Sequence, residues 1–131
     1  MATITPTLSI TSNASSATTP GPLSFALSLS ATKALTVSGP VTSKIEEVTT
    51  THTNHKIFDQ STQEHAYIYV NNTSDREVFL CSDNADSTGN RFMSVGVGEF
   101  AFFPWSGTRD IFLDHTGTGT KNVEYFIFEK L

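Results

Sequence analysis

A series of short β-prone runs in residues 65–131 constrains the fold of this chain most strongly. The runs are rich in Tyr, Phe, Ile and Val, and the segments between them are rich in Asn, Asp, Ser, Thr and Gly. Such runs predict strands, and their regular spacing favours an antiparallel arrangement. The predicted strands are HAYIYVNN, REVFLCSD, EFAFFPW, RDIFLDH and NVEYFIFEK.

The middle of the chain adds further β segments. LSFALSLS (residues 23–30) alternates large apolar residues with Ser and Ala, which predicts a half-buried strand. ALTVSGP predicts a short strand, and KIEEVTTTHTNHKIF predicts a longer extended segment. No segment has the period of an amphipathic helix. The sequence therefore predicts an all-β fold, specifically an antiparallel β-sandwich that is jelly-roll-like or Ig-like.

The N-terminal residues form a separate compositional region. Residues 1–43 carry a single charged side chain, Lys33, amid many Ser and Thr residues. Alternating Thr and apolar residues predict extended structure, and Pro20-Gly21-Pro22 predicts a break. We therefore predict an extended N-terminal assembly arm over residues 1–22 and a single β-sandwich domain over residues 23–131. An extended arm reaches beyond the radius of its own domain, so a neighbouring subunit is its predicted anchor.

The last predicted strand is apolar on both of its faces. Alternation in VEYFIFEKL places Val123, Tyr125 and Ile127 on one face. It places Phe126 and Phe128 on the other face. A strand that is apolar on both faces is covered on both, whereas two sheets supply only one internal layer. The second layer is predicted to be another subunit; the alternative is that these rings only cap the core.

The aromatic stretch EFAFFPW contributes to the predicted interface. Glu99 indicates the wetter side of this strand, which assigns Phe100 and Phe102 to the core. The rings of the other parity then project outward at the bend made by Pro104. Large rings presented together are usual anchors of protein interfaces. The predicted interface residues are Phe103, Trp105, Tyr67 and Tyr69.

The charge and the reactive residues argue against several function classes. The chain has a net charge of -5 with 16% charged residues, which disfavours nucleic acid and membrane surfaces as partners. Cys81 is the only cysteine and is predicted to be buried. His52 and His55 would point to opposite faces of an extended chain, so they could not bind one metal ion together without a bulge. Residues 84–89 begin like a calcium loop but lack its final carboxylate. We predict no catalytic residue, no metal and no cofactor, and hence a non-enzymatic protein.

The order of these motifs resembles that of small structural proteins of tailed-bacteriophage virions. The resemblance covers residues 65–131 and rests on AYIYVNNTSDREVFLCSD, VGEFAFFPW, RDIFLDH and VEYFIFEKL. The positions that match are Gly98, Glu99, Phe100, Pro104, Glu124 and Tyr125. The resemblance implies a non-enzymatic role in a symmetric shell or tail.

Within that family, an acidic chain with an assembly arm suits the outside of a capsid, away from packaged DNA. We therefore expect a capsid cement or decoration protein that forms a homo-oligomer, for example a trimer, and binds a major virion protein. It would be found in the virion, assembled in the host cytoplasm. The alternatives are a tail or neck component and a carbohydrate-binding β-sandwich module. In the latter, Trp105, Tyr67 and Tyr69 would be stacking platforms.

Overall fold

The computed structural model describes residues 2–11, 28–37, 42–48, 55–82 and 90–130. Within these ranges the strands pair only in antiparallel fashion and no α-helix occurs, so the all-β prediction is confirmed. The chain divides into two compact units, Met1–Val37 and Ser38–Leu131. Several predicted features lie outside the described residues: the domain boundary between residues 22 and 23, the strand over residues 23–27, His52, and the loop 84–89.

The first unit contains two consecutive two-stranded ladders, which together form one antiparallel ribbon. Its strands are β1 (Ala2–Ile4), β2 (Thr7–Thr11), β3 (Ser28–Thr32) and β4 (Leu35–Val37). β1 pairs with β4, and β2 pairs with β3. The two ladders have the same register: Ile4 lies opposite Leu35, and Thr7 lies opposite Thr32. The described part of the predicted arm therefore pairs within the chain, and its contact with a neighbouring subunit stays a prediction.

The strands of the second unit pair in a nested order. They are β5 (Thr42–Val48), β6 (Lys56–Phe58), β7 (Ala66–Asn72), β8 (Val78–Ser82), β9 (Arg91–Val95), β10 (Phe100–Trp105), β11 (Ile111–His115) and β12 (Lys121–Glu129). β5 pairs with β12, β6 with β11, β7 with β10, and β8 with β9. Two further ladders complete sheet A, in the order β10-β7-β12-β5, and sheet B, in the order β6-β11-β8-β9.

Alternate side chains of both sheets form one hydrophobic core. On β7 the buried residues are Ala66, Ile68 and Val70. Val123, Tyr125 and Ile127 on β12 and residues such as Leu80, Ile111 and Leu113 of sheet B belong to the same cluster. The predicted alternation on β12 is therefore confirmed. Because successive side chains of a strand point to opposite faces of the sheet, every second residue of these strands lies in the core.

A buried histidine joins the two sheets. His115 at the end of β11 directs Nε2 to the carbonyl oxygen of Val48 on β5, at 3.1 Å. The amide of Gly117 donates to Nδ1 of the same ring, also at 3.1 Å. Because Nδ1 accepts this bond, the proton of the neutral ring lies on Nε2, which donates to Val48.

Sequence reasoning missed one strand in the second unit. β9 has the sequence RFMSV, in which only Val95 is fully buried and the other residues are half-buried or exposed. The extended segment predicted for KIEEVTTTHTNHKIF contains β5 and β6 in its described parts. The predicted strands of residues 65–131 correspond to β7, β8, β10, β11 and β12.

The side chain of Asn72 ties three backbone segments together. Its Nδ2 lies 2.6, 2.9 and 3.0 Å from the carbonyl oxygens of Arg76, Val95 and Gly96, so its two N–H donors are shared among three acceptors. Its Oδ1 accepts from the amide and the hydroxyl of Ser74, at 3.0 and 2.6 Å. The side chain is fully buried, so these bonds replace all of its contact with water.

The backbone of Asn72 fixes the turn that precedes β10. Its amide donates to the carbonyl oxygen of Glu99 at 2.9 Å, and its own carbonyl oxygen accepts from the amide of Gly98 at 3.1 Å. Gly98 has φ of 72°, a region that favours glycine. β10 consequently begins at Phe100, directly opposite Asn71.

We expect Asn72→Ala to lower the free energy of unfolding by about 2 to 4 kcal/mol, because several buried polar groups lose their partner. Urea unfolding followed by circular dichroism measures this loss. Asn71→Ala is the matched control, since Asn71 makes a single side-chain bond, to Glu124, and should cost less than about 1 kcal/mol. Equal losses in the two variants would contradict the anchoring role of Asn72.

Deletion of residues 1–37 should leave a folded second unit, because its core cluster contains only residues from Val48 onward. The expected result is a β-type circular dichroism spectrum with a single cooperative thermal transition. Loss of that transition would mean that the first unit completes the fold of the second.

Candidate functional site

The outward side of sheet A carries a continuous set of aromatic rings. Three neighbouring strands, β10, β7 and β12, contribute to it through the residues that alternate with the buried ones. Register places Tyr69 between Phe102 on one side and Phe126 on the other. We call this surface the aromatic face and define it by Tyr67, Tyr69, Phe100, Phe102, Phe126 and Phe128.

The rings of the aromatic face pack against one another. Tyr67 and Phe102 are stacked, with centroids 6.1 Å apart and planes at 12°. Tyr69 lies 5.9 Å from Phe126, and Phe126 stacks on Phe128 at 6.2 Å. Tyr69 also lies 6.0 Å from Phe100. Mutual packing at these separations pre-arranges the rings as one surface.

Two of the six rings are exposed to water, and the other four are half-buried. Phe100 is 63% exposed and Phe102 is 38% exposed. Ile45 on β5, at the other edge of sheet A, is 64% exposed and lies opposite Glu124. Contiguous exposed rings of this kind are a mark of interaction surfaces.

Opposite charges lie at the two ends of the aromatic face. Glu124 precedes Phe126 on β12, and its carboxylate accepts a hydrogen bond from Asn71 at 3.2 Å. Lys130 follows Phe128, and its ammonium lies 4.7 Å from the ring centroid of Tyr67. The face is therefore apolar along its middle, acidic at one end and basic at the other.

The outward side of sheet B is covered differently. The guanidinium of Arg91 lies 4.0 Å from the ring centroid of Phe79, and Lys56 lies 5.7 Å from that of Phe112. Arg91 also donates to the buried carboxylate of Asp114, with Nε 3.0 Å from Oδ2. Long cationic side chains thus shield the aromatic residues of sheet B from water.

The predicted facing of the residues on β10 is wrong. Phe100 and Phe102, assigned to the core, point outward, whereas Phe103 and Trp105 pack against the core cluster. Trp105 stacks on Phe92 at 5.2 Å, and its Nε1 donates to the carbonyl oxygen of Arg109 at 2.9 Å.

Glu99 does not mark the solvent-facing side of β10. This residue lies in the turn before β10, and its carboxylate accepts the amide of Gly96 at 2.8 Å. A carboxylate that closes a turn is hydrophilic for a local reason and does not mark the wet side of the strand that follows.

Only half of the predicted interface set lies on the aromatic face. Tyr67 and Tyr69 do, whereas Phe103 and Trp105 lie on the opposite side of sheet A. The structure therefore does not place Trp105 beside the two tyrosines as a joint stacking platform. The interface prediction omitted the other four rings; for those of β12, the two apolar faces of VEYFIFEKL were the available signal.

Glu46 and Cys81, which lie away from the aromatic face, have shifted pKa values. Burial acts to raise the pKa of Glu46, but hydrogen bonds from Lys44 at 2.6 Å and His55 at 3.1 Å outweigh it and lower that pKa. Burial raises the pKa of the Cys81 thiol, and the buried position predicted for Cys81 is confirmed.

Among the described residues, no three His, Cys, Asp or Glu side chains are grouped so that they could hold a metal ion. No helix in this part of the chain is long and apolar enough to cross a membrane.

Comparison with known proteins gave no match to a protein-family model, to a curated protein or to a solved structure.

The opposite facing of two neighbouring phenylalanines on β10 gives a paired test. Phe103→Ala should lower the free energy of unfolding by about 1 to 3 kcal/mol, because its ring is partly buried against the core. Phe102→Ala should cost less than about 1 kcal/mol and should instead weaken self-association. Urea unfolding and sedimentation velocity measure the two effects. The reverse pattern would restore the facing predicted from the sequence.

Proposed function

We propose that this protein is a non-enzymatic structural protein of a tailed-bacteriophage virion and acts as a capsid cement or decoration protein. The observation that carries the proposal is the aromatic face. A surface of six rings on a chain with a net charge of -5 suits a protein whose working state is an assembly.

The energetic argument concerns the cost of leaving these rings in water. Full burial of one large apolar side chain is worth roughly 1.5 to 3 kcal/mol. The inner side of sheet A already packs in the core, so the gain from the outer side is available only through another surface. Covering the aromatic face in an assembly supplies that gain.

The nested strand pairing supports a β-sandwich of the jelly-roll type over an Ig-like one. In a jelly roll, a long hairpin is rolled up so that the first strand pairs with the last and successive strands pair inward. The ladders β5–β12, β6–β11, β7–β10 and β8–β9 follow this scheme. Jelly rolls occur in viral capsid and lectin domains, so this architecture suits a shell protein without excluding sugar binding.

The proposed partners are other copies of the chain and a major virion protein. The acidic chain is placed on the outer shell, where packaged DNA does not repel it, after assembly in the host cytoplasm. The N-terminal ribbon is proposed as the assembly arm, with Leu8, which is 52% exposed, among its contact residues. The resemblance in residues 65–131 supports the virion assignment.

Imaging of purified particles of the encoding phage tests the assignment. The protein should be present in copies that match the symmetry of the capsid. A few copies at the neck or tail would favour the tail alternative, and absence from the particle would overturn the proposal. Free protein that is retained on an immobilised sugar would favour the carbohydrate-binding module.

A variant pair connects incorporation into particles with the aromatic face. Phe126→Ser should reduce the amount of protein in purified particles, because it removes a ring from the centre of the face. Val97→Ser is the matched control, since Val97 is an exposed apolar residue in the turn before β10. Quantitative mass spectrometry of the particles measures the incorporation of each variant. Equal incorporation of the two variants would mean that the aromatic face is not needed for binding to the particle.

A further inference from the structure

We propose that two copies of the chain pair through their aromatic faces about a two-fold axis that runs across β12. This inference rests on the assembly role proposed above and names the occupant of the face as a second copy. In this arrangement Glu124 of one copy lies against the partner's Lys130, and the contact occurs twice.

When a second copy of β12 is placed antiparallel to the first, the charges of the two strands are complementary. Its outward residues between the two charges are Phe126 and Phe128, and their inward neighbours are buried. Glu124 and Lys130 are separated by about 20 Å along the strand at ~3.3 Å per residue. A copy turned end to end therefore places acid against base at both ends and phenylalanine against phenylalanine in the middle.

The same charges disfavour the other face-to-face arrangement. A two-fold axis parallel to β12 would place Glu124 against the partner's Glu124 and Lys130 against the partner's Lys130. Like charges directly opposite each other cost energy, and more so where the rings between them exclude water. The antiparallel arrangement is the one that the charges favour.

The rings supply enough area for a specific contact. A buried aromatic side chain covers about 150 to 250 Å², and the rings already cover part of one another. Phe100, Phe102 and Ile45 are exposed and the other four rings are half-buried, so we estimate on the order of 500 Å² of exposed apolar surface per copy, or about 1,000 Å² for the pair. This value reaches the lower limit for specific interfaces. The contact is isologous and so joins copies in twos, which differs from the trimer named among the expected homo-oligomers.

Charge reversal on the intact chain tests this arrangement. Wild-type protein should sediment as a pair at low ionic strength, and Glu124→Lys and Lys130→Glu should each weaken the pair roughly ten-fold or more. An equimolar mixture of the two variants should form heterodimers, because each repulsive contact becomes attractive. Labelling one variant with ¹⁵N allows native mass spectrometry to identify the mixed pair. The double variant Glu124→Lys with Lys130→Glu should again form homodimers.

Controls separate this result from misfolding and from failure of the virion role. Glu77→Lys reverses an exposed charge away from the face and should leave the pair unchanged. Glu124→Gln with Lys130→Gln removes both charges, retains an acceptor for Asn71, and should weaken pairing without repulsion. Circular dichroism checks the fold of every variant. A monomeric wild type, or single reversals that change nothing, would overturn the pairing, whereas particle composition tests the virion role independently.

Discussion

The buried amide of Asn72 determines how the aromatic face is built. Its side chain holds the ends of β7 and β9 together, and its backbone closes the turn that leads into β10. Since β10 then begins at Phe100 opposite Asn71, the parity of every later residue on that strand is set. A shift of one residue would bury Phe102 and turn Trp105 outward. One satisfied polar group in the interior thus decides which rings reach the surface.

The two sheets share one core but differ on their outer sides. On sheet B, Arg91 and Lys56 extend over Phe79 and Phe112, and Asp114 holds Arg91 in place. On sheet A the rings have mainly each other as cover. Within the described residues of the second unit, the rings on one outer side thus have cationic cover, whereas rings on the other outer side are partly exposed. A surface that covers sheet A would therefore meet a chemically different side from one that covers sheet B.

The sequence indicated the elements of the fold more securely than their facing. Dense Tyr, Phe, Ile and Val runs such as AYIYVNN and VEYFIFEKL determine strands and their buried faces through local alternation. RFMSV has only one fully buried residue, and its arginine donates a hydrogen bond to Asp114. Its alternation is therefore weak, and it forms a strand because it pairs with β8. The facing of β10 was missed because Glu99 belongs to a turn whose geometry depends on Asn72, which is distant in sequence. Register between distant segments is a tertiary property that local patterns do not encode.

The outer strands of sheet A have a consequence for how far association can extend. β10 contains Pro104, which has no amide hydrogen to offer to an added strand, and β5 carries Lys44, Glu46 and Glu47. Proline and charge on edge strands are the usual protection against open-ended strand addition. Sheet A is therefore poorly suited to grow sideways into a fibre, although its outer side carries exposed rings. Contacts through these rings would join sheets face to face and would leave the strand ladders as they are.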